Sequence, residues 1–174
     1  QVAIPERFRM LNIALIDVGA GTSDISITND GCILAYGMIP MAGDAITEAV
    51  ARHCLVDFAV AERIKREAGT LEEVTFEDIM FLPQTMKSED VLEVTRPVVQ
   101  DMVEQIADKI KELNGGKSVS AVFVVGGGGK IAGYTESLAA QLGIPPESDP
   151  HQSWPHKRTF ALAPQMPNRE MGRN

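Results

Sequence analysis

Long apolar runs are missing from this 174-residue chain: no stretch approaches the roughly 18 residues a membrane-spanning helix needs, and no secretory h-region is present. Basic charge is scarce too. Lys and Arg total 16 against 24 Asp and Glu, giving a net charge of −8 and a pI near 4.9. No basic stripe is available to release phosphate counterions, which excludes a nucleic-acid partner from the working set. Only two cysteines occur, Cys32 and Cys54, with neither metal-ligand spacing nor the makings of a disulfide framework, so a reducing cytoplasm is the natural setting. Aromatics make up 5% and apolar residues 44%, enough for one domain with an ordinary core. An initiating methionine is also missing, since the chain opens on Gln1, so an excised segment of a larger protein is expected.

What is present starts with I-D-V-G-A-G-T-S-D-I-S-I-T-N, residues 16–29. An apolar run ends in Asp17, passes two glycines and two hydroxyl residues, and resumes as an alternating strand at Asp24, which predicts a hairpin with a polar tip. Gly19 and Gly21 permit positive φ and close approach, so successive N–H groups can point at an anion. Thr22 and Ser23 add hydroxyl donors, and Asp17 and Asp24 place carboxylates beside the turn, which suits a phosphate with its metal ion and water. A tight hairpin using glycine for geometry alone is the alternative. The flanking acids argue against it, because a plain two-residue turn needs only Asn-Gly or Asp-Gly.

Residues 1–10 read as a lead-in. Strands over about 12–17, 24–28 and 32–39 follow, with Asn29, Asp30 and Gly31 as a second hairpin turn. Their apolar content on both faces predicts helices packed against the sheet. Next, Gly43 and Asp44 precede apolar residues at helical spacing, with Asp44 as the expected N-cap. A second helix, about 57–68, carries A-E-R-I-K-R-E, where Glu62, Lys65 and Arg66 share one face; a solvated face of ion pairs is the plain alternative. Residues 70–90 read as a small lobe or insertion of short strands or turns. A long amphipathic helix is expected from Ser88 or Val91 to Leu113, with Val94, Val98, Met102, Ile106 and Ile110 inward and Pro97 in its first turn or breaking it. Then Ala121 to Val125, an apolar run expected at the sheet's centre, leads through four glycines into a helix near 134–142. This cluster has neither the G-x-G-x-x-G nor the G-K-[ST] spacing, and alone it is a weak motif.

Taken in order, D-V-G-A-G-T-S-D, E-x-x-K-R and the apolar strand with G-G-G and I-x-G resemble the second phosphate motif, the adenosine-holding helix and the adenosine turn of the actin-like ATPases. Within that superfamily the wording L-N-I-A-L-I-D-V-G-A-G-T-S-D-I-S-I and M-A-G-D-A-I-T is most similar to FtsA-type cell-division proteins and their relatives such as PilM. The resemblance covers residues 11–144 and implies an α/β fold: one actin-like (ribonuclease H-like) lobe, subdomain II, with a mixed sheet whose antiparallel N-terminal strands are flanked by helices.

It also implies roles. ATP or ADP with Mg²⁺ is the ligand. Gly19, Gly21, Thr22 and Ser23 would hold the β- and γ-phosphates. Asp17 would order the metal-bound or attacking water, as the catalytic and metal-linked residue, and Asp24 would support the hairpin or a metal-linked water. Gly43 would lie near the phosphates. Glu62 would accept from ribose hydroxyls, Lys65 and Arg66 would lie along the adenosine, and Gly126, Gly127, Gly128 and Gly133 would form the adenosine turn. Residues 70–90 would meet a neighbouring subunit in a filament or an FtsZ-like division partner, at the inner face of the membrane but without membrane contact from this segment. The family's first phosphate motif is not in the chain, so half a cleft, weak nucleotide binding and no meaningful ATPase activity are expected of it alone. Rival readings are a non-hydrolysing filament or scaffold lobe of the PilM or MreB type, a DnaK-type chaperone lobe, and a sugar or polyol kinase lobe. Residues 145–174 hold six of the ten prolines and read as an extended or disordered tail in which His151 and His156 make no metal site.

Overall fold

The computed structural model describes residues 9–143 and the backbone of residues 146–147 and 159–162. Strands β1 (Ile13–Val18), β2 (Ser23–Asn29) and β3 (Cys32–Ile39) form an antiparallel meander. Helices α1 (Gly43–Cys54) and α2 (Phe58–Glu67), the hairpin β4 (Glu73–Glu77) and β5 (Pro83–Lys87), and helix α3 (Ser88–Leu113) follow. The chain then returns through β6 (Ala121–Val125), a 3₁₀ turn (Gly128–Lys130) and α4 (Tyr134–Leu142), and β7 (Pro146–Glu147) and β8 (Thr159–Leu162) close the order inside the segment expected to be an extended or disordered tail, β8 pairing with β6. The six-stranded sheet runs β3-β2-β1-β6-β8-β7 and is mixed: β1 and β6 are parallel, while every other pair is antiparallel.

Alternation along β1 sends Ala14, Ile16 and Val18 to one face, where they meet Ile25 and Ile27 of β2, Val122 and Val124 of β6, Ile46 of α1, Met102, Ile106 and Ile110 of α3 and Leu138 of α4. Each wholly buried isoleucine among them contributes about 2 kcal/mol of transfer free energy. β6 sits inside the sheet with its first four residues buried, as its unbroken apolar run requires. A second, smaller core joins Val50 of α1, Ala61 and Ile64 of α2, Val74 and Phe76 of β4 and Val91 of α3. The polypeptide between the two cores carries the site.

The described helices cover one face of the meander only. Edge strand β3 turns Ala35, Gly37 and Ile39 toward the helices, with α3 closing so tightly that a Cβ on Gly37 would stand 2.9 Å from Leu113 Cδ1, and leaves Ile33, Leu34, Tyr36 and Met38 between 47% and 71% exposed. Two local expectations are corrected. Asp44 is not the N-cap of α1. Ala42 is, with no side-chain bond, because the hairpin tip takes the end donors: Gly43 N–H reaches the Gly19 carbonyl at 3.2 Å and Asp44 N–H that of Ala20 at 2.8 Å. Pro97 neither opens nor breaks α3, which starts nine residues earlier and runs through it. Pro97 and Glu93, the residue whose carbonyl it cannot bond, are both exposed, so water can take that carbonyl.

Candidate functional site

The turn between β1 and β2 is closed by Gly19 N–H donating to the Thr22 carbonyl at 3.0 Å. Neither Gly19 nor Gly21 lies in the left-handed region, contrary to the positive φ expected there. Their use is spatial: a Cβ on Gly19 would crowd the Thr22 carbonyl at 3.1 Å, while one on Gly21 would meet nothing within 4 Å. Thr22 is exposed beside it. Ser23 departs from the expected phosphate role, being wholly buried with its hydroxyl donating to the Met41 carbonyl at 2.8 Å, which ties the hairpin to the loop entering α1.

Asp17 and Asp24 are register partners at the strand ends, on the face away from the helices. The Tyr36 hydroxyl donates to Asp24, a bond that, with smaller shares from burial and charge, raises the phenol above its ordinary value. No group of three or more potential metal ligands occurs among the described residues. Two facing carboxylates nevertheless fit Mg²⁺, which is held by one or two carboxylates, phosphate oxygens and water.

The glycine turn after β6 nests onto this hairpin. Gly126, at φ +90°, would place a Cβ 2.4 Å from the Val18 carbonyl oxygen and 2.5 Å from Asp17 Oδ1; Gly128 would place one 2.4 Å from Val18 Cγ1. Gly127 has open space, and Gly133, at φ +80°, precedes α4. From the other side α2 presents E-x-x-K-R. Asp57 caps that helix through Val60 N–H at 2.8 Å, which fixes its rotation. Glu62 Oε2 lies 2.6 Å from Lys65 Nζ and 2.6 Å from Thr47 Oγ1, and Oε1 lies 3.0 Å from Arg66. Burial pushes the Glu62 carboxyl up, but the hydrogen bonds from Lys65 and Thr47 and the charges of Lys65 and Arg66 outweigh it and hold the group below the usual glutamate range. Lys65, 13% exposed, also reaches Thr47 Oγ1 at 2.7 Å and the Gly43 carbonyl at 3.3 Å, so it points at the start of α1 rather than outward; Arg66 is 76% exposed.

These pieces enclose a cavity of about 920 Å³, lined among others by Gly19, Ala20, Gly43, Asp44, Glu62, Lys65, Arg66, Gly127, Gly128 and residues 129–133. That is at the upper end of small-molecule sites. Eight of the sequence-predicted residues therefore line one space: Gly19, Gly43, Glu62, Lys65, Arg66, Gly127, Gly128 and Gly133. Asp17, Gly21, Thr22, Ser23, Asp24 and Gly126 do not line it; Asp17 and Gly126 sit directly behind it, against the hairpin. Sequence reasoning missed Thr47, although its place four residues after Gly43 puts both on one helix face. It also missed Gly129, whose Cβ would stand 2.6 Å from Val124 Cγ1.

The chain is 26% identical over 158 residues to the cell division protein FtsA of Pseudomonas aeruginosa, covering 82% of this chain and 38% of that protein. With FtsA of Bacillus subtilis it is 23% identical over 149 residues, 80% of this chain and 34% of that one. It thus spans little more than a third of the length of these relatives. Among solved structures, the PilM-PilN type IV pilus biogenesis complex aligns with a TM-score of 0.63 at 21% identity, over 79% of this chain and 35% of that one. MreB 5 of Spiroplasma citri bound to AMPPNP aligns with a TM-score of 0.61 at 20% identity, over 81% and 49%. These likenesses show an actin-like ATPase fold. A sequence model of the family described as cell division protein FtsA matches residues 14–159, most of the chain, and the chain therefore belongs to the FtsA family.

Proposed function

We propose that this chain is the nucleotide-binding half of an FtsA-like, actin-fold protein of bacterial cell division, taking ATP or ADP with Mg²⁺ into the cavity between its two cores. The observation that carries this is convergence: three motifs far apart in the chain, at residues 17–24, 62–66 and 126–133, each line or abut one space. Gly21 and Thr22 offer the phosphates backbone and hydroxyl donors with open room at Gly21, while the Gly19 N–H is spent on closing the turn. Glu62 Oε1 and Arg66 lie on the nucleoside side, and the turn at Gly126, Gly127 and Gly128 lets backbone approach the base. Bound Mg²⁺ would neutralise phosphate charge; Asp17 and Asp24 would hold its waters. Catalysis of any hydrolysis would rest on positioning and electrostatics.

Calorimetric titration with Mg-ATP and Mg-ADP tests it, beside Asp17→Ala and Gly127→Val. Saturable binding that weakens at least about tenfold in both variants supports the site. Gly127 has free space around it, so unaltered binding in Gly127→Val would remove the cavity from consideration.

A second role is favoured by the β4–β5 hairpin, whose tip exposes Ile79, Met80, Phe81 and Leu82 by 53–83%. Asp78 braces this tip, accepting from Met80 N–H at 2.8 Å and Leu82 N–H at 3.1 Å, and Phe81 sits at φ +58°. A braced apolar tip of this kind suits docking, and we assign it to a neighbouring copy in a filament or to an FtsZ-like partner. Sedimentation of a Phe81→Asp variant with and without Mg-ATP, and its binding to FtsZ, read that role directly.

A further inference from the structure

Thr47 lies wholly buried one turn into α1, and its hydroxyl meets three groups: Lys65 Nζ at 2.7 Å, Glu62 Oε2 at 2.6 Å and the Gly43 carbonyl at 3.1 Å. A hydroxyl has one proton. The ammonium can only donate, so Thr47 accepts from Lys65, and its proton goes to the nearer, charged oxygen of Glu62. The three N–H bonds of Lys65 are in turn matched by three acceptors, Thr47, Glu62 and the Gly43 carbonyl. Little of this ammonium is left for a ligand. Glu62, by contrast, has only Oε2 engaged in the ring and turns Oε1 toward Arg66.

The ring does not stand alone. Gly43, whose carbonyl it grips, donates its own N–H to Gly19 at 3.2 Å, and the next residue, Asp44, donates to Ala20 at 2.8 Å. A continuous path of hydrogen bonds thus runs from α2 through Lys65, Gly43 and Gly19 to the hairpin tip. Both ends line the same cavity.

We infer that Thr47 and Lys65 are positioning residues that lock α2 to the β1–β2 hairpin, so that the nucleoside side and the phosphate side of the cavity are held as one unit and bind their halves of a ligand cooperatively. The cooperative part rests on the nucleotide reading given above; the mechanical part does not.

Two measurements separate them, using Thr47→Val, which removes the hydroxyl at nearly constant volume, and Thr47→Ser, which keeps it. Amide hydrogen exchange of the ligand-free chain reads the lock. In Thr47→Val, exchange at Gly43 and Asp44 should rise about tenfold over wild type, as loss of a charged hydrogen-bond ring implies, with the β1–β6 ladder unchanged and Thr47→Ser near wild type. Equal exchange at Gly43 and Asp44 in wild type and Thr47→Val, or a uniform rise across the ladder, overturns the inference. Calorimetry with adenosine and magnesium tripolyphosphate, each alone and in the presence of the other, reads the coupling. Tripolyphosphate should tighten adenosine binding at least about fivefold in wild type and Thr47→Ser, and leave it unchanged in Thr47→Val. Failure of every ligand to bind would sink the nucleotide reading and the cooperative part with it, while the exchange result still decides the lock. Lys65→Met, which removes the ammonium, should reproduce the Thr47→Val exchange pattern; if it does not, Lys65 is not part of the lock.

Discussion

The two glycine-rich turns of the site look alike as text, yet individual glycines within them serve opposite ends. At the β1–β2 tip, Gly21 has nothing within 4 Å of where its Cβ would stand, so the missing side chain keeps space open. After β6, Gly126 and Gly128 have Val18 and Asp17 atoms at 2.4–2.5 Å from theirs, so the missing side chains let one turn lie directly on another. Gly21 leaves room open, as Gly127 does in the second turn, while Gly126 and Gly128 give up room to the protein. Glycine in a motif therefore carries two separable meanings, stability and access, and only neighbours tell them apart.

The contrast is most easily broken at Gly126. Gly126→Ala must strain a backbone at φ +90° and displace the Val18 carbonyl and the Asp17 carboxylate, and should destabilise the fold by about 3 kcal/mol in urea unfolding. Gly128→Ala meets a side-chain methyl of Val18 first and should cost about 2 kcal/mol by the same measurement.

Across the cavity, Glu62→Gln should cost about 1.5 kcal/mol at neutral pH, because the ion pairs with Lys65 and Arg66 are lost and the two cations are left beside a neutral amide. The Glu62 carboxyl is held low, so its contribution is complete above the ordinary glutamate value of about 4.3 and is lost as pH falls through the lower folded value. Wild-type and variant stabilities should therefore converge as the pH is lowered below about 4, as followed by urea midpoints at a series of pH values. The smallest effect on stability belongs to Gly21→Ala, within about 0.5 kcal/mol of wild type, yet this variant should weaken Mg-ATP binding in calorimetry. Loss of stability without loss of binding at Gly21 would reverse the meaning assigned to that turn.

Much of the fold was legible because its signals are local. Strand β3 runs over Cys32–Ile39 as alternation and the Asn29, Asp30 and Gly31 turn require, with Asp30 at φ 49° and Gly31 at φ 75°. The continuous apolar run of β6 announced an interior strand, and α2 carries its own cap in Asp57. Legibility failed where the partner of a group lies far along the chain. Asp44 has the look of a cap, but the donors at that helix end go to carbonyls more than twenty residues upstream. Ser23 has the look of a phosphate ligand, but Met41 accepts its proton. Lys65 reads as a cation lying along a nucleoside, and the fold turns it inward onto Thr47 and Gly43 of α1.

The sequence by itself determined the meander, the helices, β6 and the three motifs that place the chain among actin-like folds, since periodicity, turn residues and glycine spacing act over a few residues; it left the β4–β5 hairpin undecided and missed β7 and β8. Only the tertiary structure decided which of those motif residues line the cavity and which support it from behind. Hydrogen bonds and van der Waals contacts act over a few ångströms, and the parallel pairing of β1 with β6 across a hundred residues is what brings Asp17 and Val18 against Gly126 and Gly128.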